Sequence, residues 1–456
     1  MLFPTVTFAL FFACVLTVTW SIWDRPTLRK WVLIGASYIF YGAWDMRYLA
    51  LMLFVSLVAY GAGLLLERRR NPWILALGCV LLMGTLGVFK YFGFFMENLR
   101  PMLVAAGLER DWMWMRFLLP VGISFYVFQA VSYVVDVWRG DIAARRNVGD
   151  ILLYISFFPQ LVAGPIVRAT LVLPQIDAPS PPSQAERGKA VGLILTGLFK
   201  KMVIANYLAV YVVDPVFLLP DGQNMVTASL ALVAYAVQIY CDFSGYSDIA
   251  IGVALLLGFR FPPNFDQPYR ATSLRDFWRR WHISLSTWIR DYVYIPLGGS
   301  RAAPARVAAN LIMTMTLAGL WHGAGWAFLT WGFLHGLLLA LERHFRVALP
   351  GLVGIGITFL VVTMLWLPFR AENLAVMSEM LAAMGRIEGY APINPPLAVW
   401  VLLVIGLGLN WVPPGLGLTA LQTARVPMQV AALFIGAIAC FALAQKGVAP
   451  FIYFQF

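Results

Sequence analysis

Two histidines have settings that suggest chemistry. His322 lies in Leu317-Ala-Gly-Leu-Trp321-His322-Gly323-Ala-Gly-Trp-Ala-Phe, inside a long run of small and apolar residues. An ionisable side chain at membrane depth is costly and is a functional candidate by default; the other reading is a core histidine hydrogen-bonded across helices. His282 lies in Ser273-Leu-Arg-Asp-Phe-Trp-Arg-Arg-Trp-His282-Ile-Ser-Leu-Ser-Thr-Trp-Ile-Arg-Asp291, among arginines that disfavour its charged form and keep a neutral, basic imidazole available. His335 follows His322 by 13 residues, about 220° around a regular helix, and reads as a structural or supporting residue. A histidine acting as general base on a hydroxyl, in a membrane cavity with an arginine-lined side, fits acyl transfer from a carrier to an alcohol.

Two further clusters surround these candidates. Residues 259–306 hold eight arginines against three aspartates. Apolar and aromatic residues at 274, 277, 278, 281, 285, 288 and 289 follow helical spacing and predict one amphipathic helix. Either this helix lies in the interface with its arginines snorkelling to anionic headgroups, or Arg279 and Arg280, beside Trp281, wall a phosphorylated ligand. The presence of His282 favours the second. Deep in another apolar run lies Gln238-Ile-Tyr-Cys-Asp242-Phe-Ser244-Gly-Tyr246-Ser-Asp248. Its carboxylates either pair with a buried Arg or Lys, or the cluster lines a passage for a polar substrate. Gly319 with Gly323, and Gly332 with Gly336, have the spacing of close helix packing. No GxSxG elbow, HExxH, Walker loop or dinucleotide fingerprint occurs, and four scattered histidines do not make a zinc set.

The elements that must hold these residues follow from composition. The chain has 456 residues, 61% hydrophobic and 12% charged, with a mean hydropathy of +0.77. Soluble domains run near ~25% charged, so a soluble enzyme, a disordered tail and a fibrous repeat are excluded. The fold class is an all-α polytopic integral membrane protein. At ~20 apolar residues per span the apolar runs suggest about 11–12 transmembrane helices, the first over 2–22 with no cleavable signal peptide. Segments 148–187 and 259–306 read as re-entrant or interfacial pieces. The chain reads as one membrane domain, 1–456, with N-terminal helices at 1–118, a core at 119–341 and C-terminal helices at 342–456. The net charge of +11 fits basic cytoplasmic loops, not nucleic acid; the loop alternation places the N-terminus outside. Cys14, Cys79, Cys241 and Cys440 all sit in apolar runs and read as buried small hydrophobes.

Across 120–340 the chain resembles the membrane-bound O-acyltransferase superfamily, in its bacterial alginate O-acetyltransferase branch. The resemblance is carried by Leu119-Pro-Val-Gly-Ile-Ser-Phe-Tyr126, Val162-Ala-Gly-Pro165, Asp242-Phe-Ser-Gly-Tyr-Ser-Asp-Ile-Ala-Ile-Gly252, Asp276-Phe-Trp-Arg-Arg-Trp-His-Ile-Ser-Leu-Ser286, Arg290-Asp-Tyr292, Pro296-Leu-Gly-Gly299 and Trp321-His322-Gly323. It implies a ring of tilted helices around a channel, with a cytoplasmic donor entrance and an external acceptor face. By the family's pattern His322 is the catalytic histidine and His282 its partner on the donor side. Arg279, Arg280 and Trp281 would then bind the donor, and Asp242, Ser244, Tyr246, Asp291 and Trp321 would line the channel. Acetyl-CoA or another cytoplasmic acetyl donor is the implied substrate, with no bound cofactor and no metal.

The same resemblance implies a multi-pass protein of the bacterial inner membrane, contacting membrane lipids and no nucleic acid, with its N-terminus periplasmic. The acetyl group would go to an exported polysaccharide such as alginate or cellulose, completed by a periplasmic SGNH-hydrolase-type acetyltransferase beside the polysaccharide synthesis and export machinery. The terminal Pro450-Phe-Ile-Tyr453-Phe-Gln-Phe456 resembles a motif in which the tyrosine accepts the acyl group; an aromatic interfacial anchor is the plainer reading. Two alternatives stay open. One is D-alanyl or lipid acyl transfer by the same fold. The other is a non-enzymatic transporter of an acyl or sugar carrier, although no repeated half with matching interrupted helices is present.

Overall fold

The computed structural model describes residues 3–107, 119–162, 164–345, 349–388, 393–412 and 418–445, and among these the regular elements are helices with no strand. The chain divides into two units. The first comprises Met1–Pro181 with Leu257–Phe261. It contains α1 (Val6–Ser21), α2 (Pro26–Gly42), α3 (Tyr48–Arg68), α4 (Pro72–Ala105) and α5 (Ile123–Arg139), then the short α6 (Val148–Ser156), α7 (Phe158–Leu161) and α8 (Ala169–Asp177). Phe8, Phe12, Phe40 and Phe158 fill its interior. Its buried Arg29 donates to the carbonyl of Leu257 and lies 4.0 Å over the Trp23 ring, so the charge meets both a hydrogen-bond acceptor and a π face. The segment 148–187, expected to be re-entrant or interfacial, holds the short helices α6 to α8, interrupted at Phe157 and at the extended residues before Ala169.

The second unit comprises Pro182–Leu256 and Pro262–Phe456. Its helices are α9 (Gln184–Leu218), α10 (Met225–Leu256), α11 (Leu274–Arg280), α12 (Ile283–Ile289), α13 (Pro304–His322), α14 (Trp326–Phe345), α15 (Gly351–Arg370), α16 (Leu374–Met384), α17 (Leu397–Gly408), α18 (Leu418–Thr423) and α19 (Val426–Leu443). A capping box of Ser183 and Glu186 starts α9. At 32 residues α10 is one continuous helix, about 48 Å long at ~1.5 Å per residue, and needs tilt to fit a ~30 Å hydrocarbon layer. It meets α9 where neither has a side chain: a Cβ on Gly245 would lie 2.7 Å from the Gly197 carbonyl oxygen.

Among the described residues six helices (α3, α4, α9, α10, α15 and α19) are long and apolar enough to cross a membrane, and α1, α16 and α17 are shorter apolar helices. Composition suggested about a dozen spans at ~20 residues each. The other long helices mix buried polar groups into their apolar runs: Arg29 on α2, Gln129 and Asp136 on α5, Asn310 and His322 on α13, His335 on α14. Polar groups there face the protein interior, which lets a helix of mixed composition sit among apolar ones. The outward faces are apolar, as with Phe434 and Ile435 on α19 at 68% and 66% exposure, a pattern suited to lipid. Of the cysteines, Cys241 and Cys440 are buried, whereas Cys79 is half-buried and Cys14 exposed, so the expectation of four interior cysteines is corrected for Cys14, which lies on the outward face of an apolar helix, and met only in part by Cys79.

Helices α13 and α14 form an antiparallel hairpin closed by glycines. A Cβ on Gly319 would stand 2.2 Å from the carbonyl oxygen of Phe328, and one on Gly332 would stand 2.2 Å from that of Met315. The two backbones therefore touch directly. Gly319→Ala and Gly332→Ala should each cost on the order of 3 kcal/mol of stability, because backbone atoms must move to admit the methyl group. Gly84→Ala, where no atom lies within 4 Å, should be neutral or slightly stabilising. Thermal unfolding in detergent checks this, and equal melting temperatures for all three variants would contradict the close packing.

Candidate active site

The amphipathic segment is not one helix. It breaks between α11 and α12 at His282, which takes left-handed backbone angles of φ 42° and ψ 55°. Histidine visits this region more readily than most residues, yet it remains an uncommon conformation. The break is held by a neighbouring stretch of backbone: Ile283 N donates to Asn264 O at 2.9 Å and Asp266 N to Arg280 O at 2.9 Å. Side chains complete it. The Asn264 Oδ1 atom lies 3.2 Å from His282 Nδ1 and accepts from Ser284 N at 3.1 Å and Ser284 Oγ at 2.8 Å. On its other side Asn264 Nδ2 donates to Ser247 Oγ at 3.1 Å. The imidazole of His282 is fully buried, against Phe243 at 4.6 Å between ring centres. Burial pushes its pKa down to about 3, so the ring is neutral as the sequence suggested, with desolvation as the cause in place of the neighbouring arginines.

His322 ends α13, and residues 323–325 turn the chain into α14. The ring of His322 packs edge-on against Trp331 and Phe369, each at 5.1 Å, and lies 4.9 Å from Trp321. Trp321 in turn stands 6.1 Å from His282, so one indole contacts both histidines. The small residue after His322 does not leave open space. A Cβ on Gly323 would fall 2.1 Å from the Phe328 ring, so an aromatic side chain occupies that volume. His335 also reaches Trp331, at 4.8 Å, and its Nδ1 accepts from Trp278 Nε1 at 3.3 Å. The turn at 323–325 explains how two histidines on opposite faces of an unbroken helix share one tryptophan.

A cavity of about 860 Å³ is lined by residues of the same segments, though neither His282 nor His322 is among them. Arg275, Arg279, Arg290 and Arg343 contribute cationic walls, and Trp278, Ile283, Met315 and Ala318 an apolar one. Ile283 follows His282, Ala318 lies one helical turn before His322, and Trp278 is the residue bonded to His335. Of the three residues expected at a donor site, Arg279 lines this cavity. Arg280 is instead held by Asp276 at 3.0 Å and Asp266 at 3.7 Å, and Trp281 is buried between Phe277 and Trp366.

The residues expected along a channel are dispersed. Asp242, Ser244 and Tyr246 are buried on α10; Trp321 touches both histidines; Asp291 pairs with Arg290 at 2.7 Å. None of these five is among the residues lining the cavity. For the carboxylates of the α10 cluster, the pairing alternative is what the structure contains: Asp242 pairs with Lys201, and Asp248 with Lys200 at 2.8 Å. Both lysines sit on a widened, π-type turn of α9, Phe199–Ala205. Tyr453 and Ala163 lie outside the described residues. Sequence reasoning missed Asn264, Ser247, Trp331, Phe369 and the two lysines. A signal existed for the last: Lys200-Lys201 interrupts an apolar run just as the two aspartates interrupt the next one.

Fold and site together define an integral membrane protein with a buried histidine pair beside an arginine-walled cavity. Residues 142–352 match the model of the membrane-bound O-acyltransferase family. The chain is 38% identical to a protein of Pseudomonas putida described as a probable alginate O-acetylase, over 94% of each chain. It is 43% identical to one of Azotobacter vinelandii with the same description, over 78% of this chain and 72% of that one. A peptidoglycan O-acetyltransferase of Helicobacter pylori is 34% identical, over 80% of this chain and 75% of its own. The chain belongs to the membrane-bound O-acyltransferase family and is an O-acyltransferase.

Removing one member of a buried ion pair leaves an uncompensated charge, whereas replacing both with apolar groups removes the problem. Lys201→Met should therefore destabilise the protein by about 3–5 kcal/mol, and Lys201→Met with Asp242→Leu should recover most of that loss. Thermal unfolding of the two variants in detergent decides it; a double variant no more stable than the single one would refute a pairing role.

Proposed function

We propose that the protein takes an acetyl group from a cytoplasmic thioester, acetyl-CoA by its chemistry, and passes it to a hydroxyl destined for an exported polysaccharide. The observation that carries this reading is His322, buried at the end of the glycine-closed hairpin, one helical turn beyond Ala318 in the lining of the arginine-walled cavity. In the proposed step His322 takes the proton of the acceptor hydroxyl, and the oxygen attacks the thioester carbonyl. The C–S bond breaks as the C–O bond forms, and the imidazolium returns its proton to the leaving thiolate. Ester and free thiol are the products. His282 assists on the donor side. Arg279 and Arg275, which make no side-chain ion pair among the described residues, are available for the donor phosphates; Arg280, outside the lining, is engaged by two aspartates.

On this reading the protein lies in the bacterial inner membrane with its N-terminus outside, as the distribution of basic loops favours. The acceptor is a polymer of the class for which its relatives are named, alginate or another glycan, and a periplasmic SGNH-hydrolase-type partner completes transfer, with Tyr453 as an acyl relay. A His322→Ala protein that inserts and folds normally should lower polymer O-acetylation by about 10²-fold or more, the scale of general-base catalysis. Acetylation at the wild-type level in that variant would remove His322 from the chemistry. Supplying purified protein with labelled acetyl, D-alanyl and long-chain acyl thioesters separates the acetyl reading from its alternatives, since only the first should give labelled ester.

A further inference from the structure

We propose that Asn264 is a positioning residue that locks His282 in a single tautomer, leaving the His282 Nε2 lone pair as a fixed hydrogen-bond acceptor for an O–H or N–H of a substrate. This rests on the reading that His282 serves acyl transfer, and it gives that residue a role distinct from the proton-carrying His322.

The lock follows from what each atom can do. A backbone N–H only donates, so the bond from Ser284 N fixes Oδ1 as the Asn264 atom on that side. Ser247 Oγ, accepting from Nδ2 on the far side, holds the amide against a flip. The same Oδ1 faces His282 Nδ1 at 3.2 Å and has no hydrogen to give. Ser284 Oγ also lies 3.4 Å from Nδ1, but it gives its one hydrogen to Oδ1 at 2.8 Å. Nδ1 therefore carries the ring hydrogen, and in a neutral imidazole Nε2 does not. Asn264 is 1% and His282 0% exposed, so water does not compete for these bonds. The lone pair of Nε2 has no hydrogen-bond partner among the described residues. A buried acceptor left open in this way is costly unless something supplies the hydrogen, and a substrate can.

The surroundings keep the ring uncharged. From α12 it meets Ser284 and from α10 Phe243, and the acids of α10, Asp242 and Asp248, are paired with Lys201 and Lys200. From the 264–266 stretch it meets Asn264 and Phe265, with Asp266 turned to Arg280. On α11 the adjacent arginines are Arg279, in the cavity wall, and Arg280. From α13 it meets Trp321, next to His322. Among the described residues no carboxylate faces the imidazole to stabilise a proton on it.

The substitution Asn264→Asp keeps size and acceptor while adding the missing negative charge. It should raise the pKa of His282, and once Nε2 is protonated it can no longer accept. The assay is thiol release from acetyl-CoA by the purified full-length protein in vesicles together with its periplasmic SGNH-hydrolase-type partner, with the exopolysaccharide of the source cells, deacetylated by mild alkali, as acceptor. Wild-type protein should show no acid limb from His282 above about pH 4, since this group titrates near 3. Asn264→Asp should acquire one, falling about tenfold per pH unit below a midpoint shifted well above that value. A rise in KM for acetyl-CoA would assign the bond to the donor's amide, and a rise in KM for the polymer would assign it to the acceptor hydroxyl. A folded Asn264→Asp protein with the wild-type profile, while His282→Ala is inactive, would overturn the proposal. Full activity in His282→Ala would instead remove His282 from the reaction. Should Asn264→Asp fail to fold, Ser247→Ala loosens the amide by one hydrogen bond, and an unchanged kcat in place of a roughly 2- to 10-fold fall would overturn it equally.

Discussion

The contact on which the site depends is the meeting of two backbones without side chains between them. Gly319 and Gly332 bring α13 and α14 so close that a methyl group on either would strike a carbonyl oxygen of the other. Lipid offers no hydrophobic reward for bringing two apolar helices together, so small residues and the dispersion contacts they permit must do it. That closeness sets the direction of everything at the hairpin's end. It aims His322 at Trp331 across the turn, brings His335 to the same indole, and places Trp321 against His282. Five rings from three segments of chain thereby pack in series.

Around this volume, polar groups that would be costly in an apolar interior are tied down. Lysines of α9 neutralise aspartates of α10. The carbonyl oxygen of Asn264 gathers two donors from Ser284 and faces a third on His282, while its amide nitrogen is used by Ser247. Glu342 on α14 accepts from the backbone N–H groups of Leu274 and Arg275 at the start of α11, where a negative charge suits the helix end. Charge is left open in the cavity wall, through Arg275 and Arg279, and acceptor capacity is left open at His282 Nε2. Those are the two kinds of group an anionic thioester and its acyl acceptor would need.

The all-helical membrane fold follows from composition alone, because a chain with so few charges cannot cover itself in water. Helix positions were similarly readable from apolar runs, and the long run around His322 folds as α13 and α14. What the sequence hid lies at breaks in periodicity. The residues from 274 to 289 keep helical spacing on both sides of His282, so nothing in the pattern announces a left-handed residue there; the cause is Asn264, eighteen residues earlier, whose backbone and side chain both bond into the break. The two readings of the α10 aspartates could not be separated either, since their partners sit on another helix and a pairing depends on how the helices cross. Arg279 and Arg280 are neighbours in sequence with equal apparent claims, yet Asp266 and Asp276 engage only the second.

The central claim is that acyl transfer takes place where Trp321 separates His282 from His322. The most direct measurement is a cryo-electron microscopy map of the full-length protein bound to a non-transferable thioether analogue of acetyl-CoA. The account predicts the analogue's phosphates against Arg275 and Arg279, and its acyl end within hydrogen-bond reach, about 3 Å, of one of these two histidines. An analogue bound elsewhere, with both histidines still enclosed by their aromatic neighbours, would contradict it.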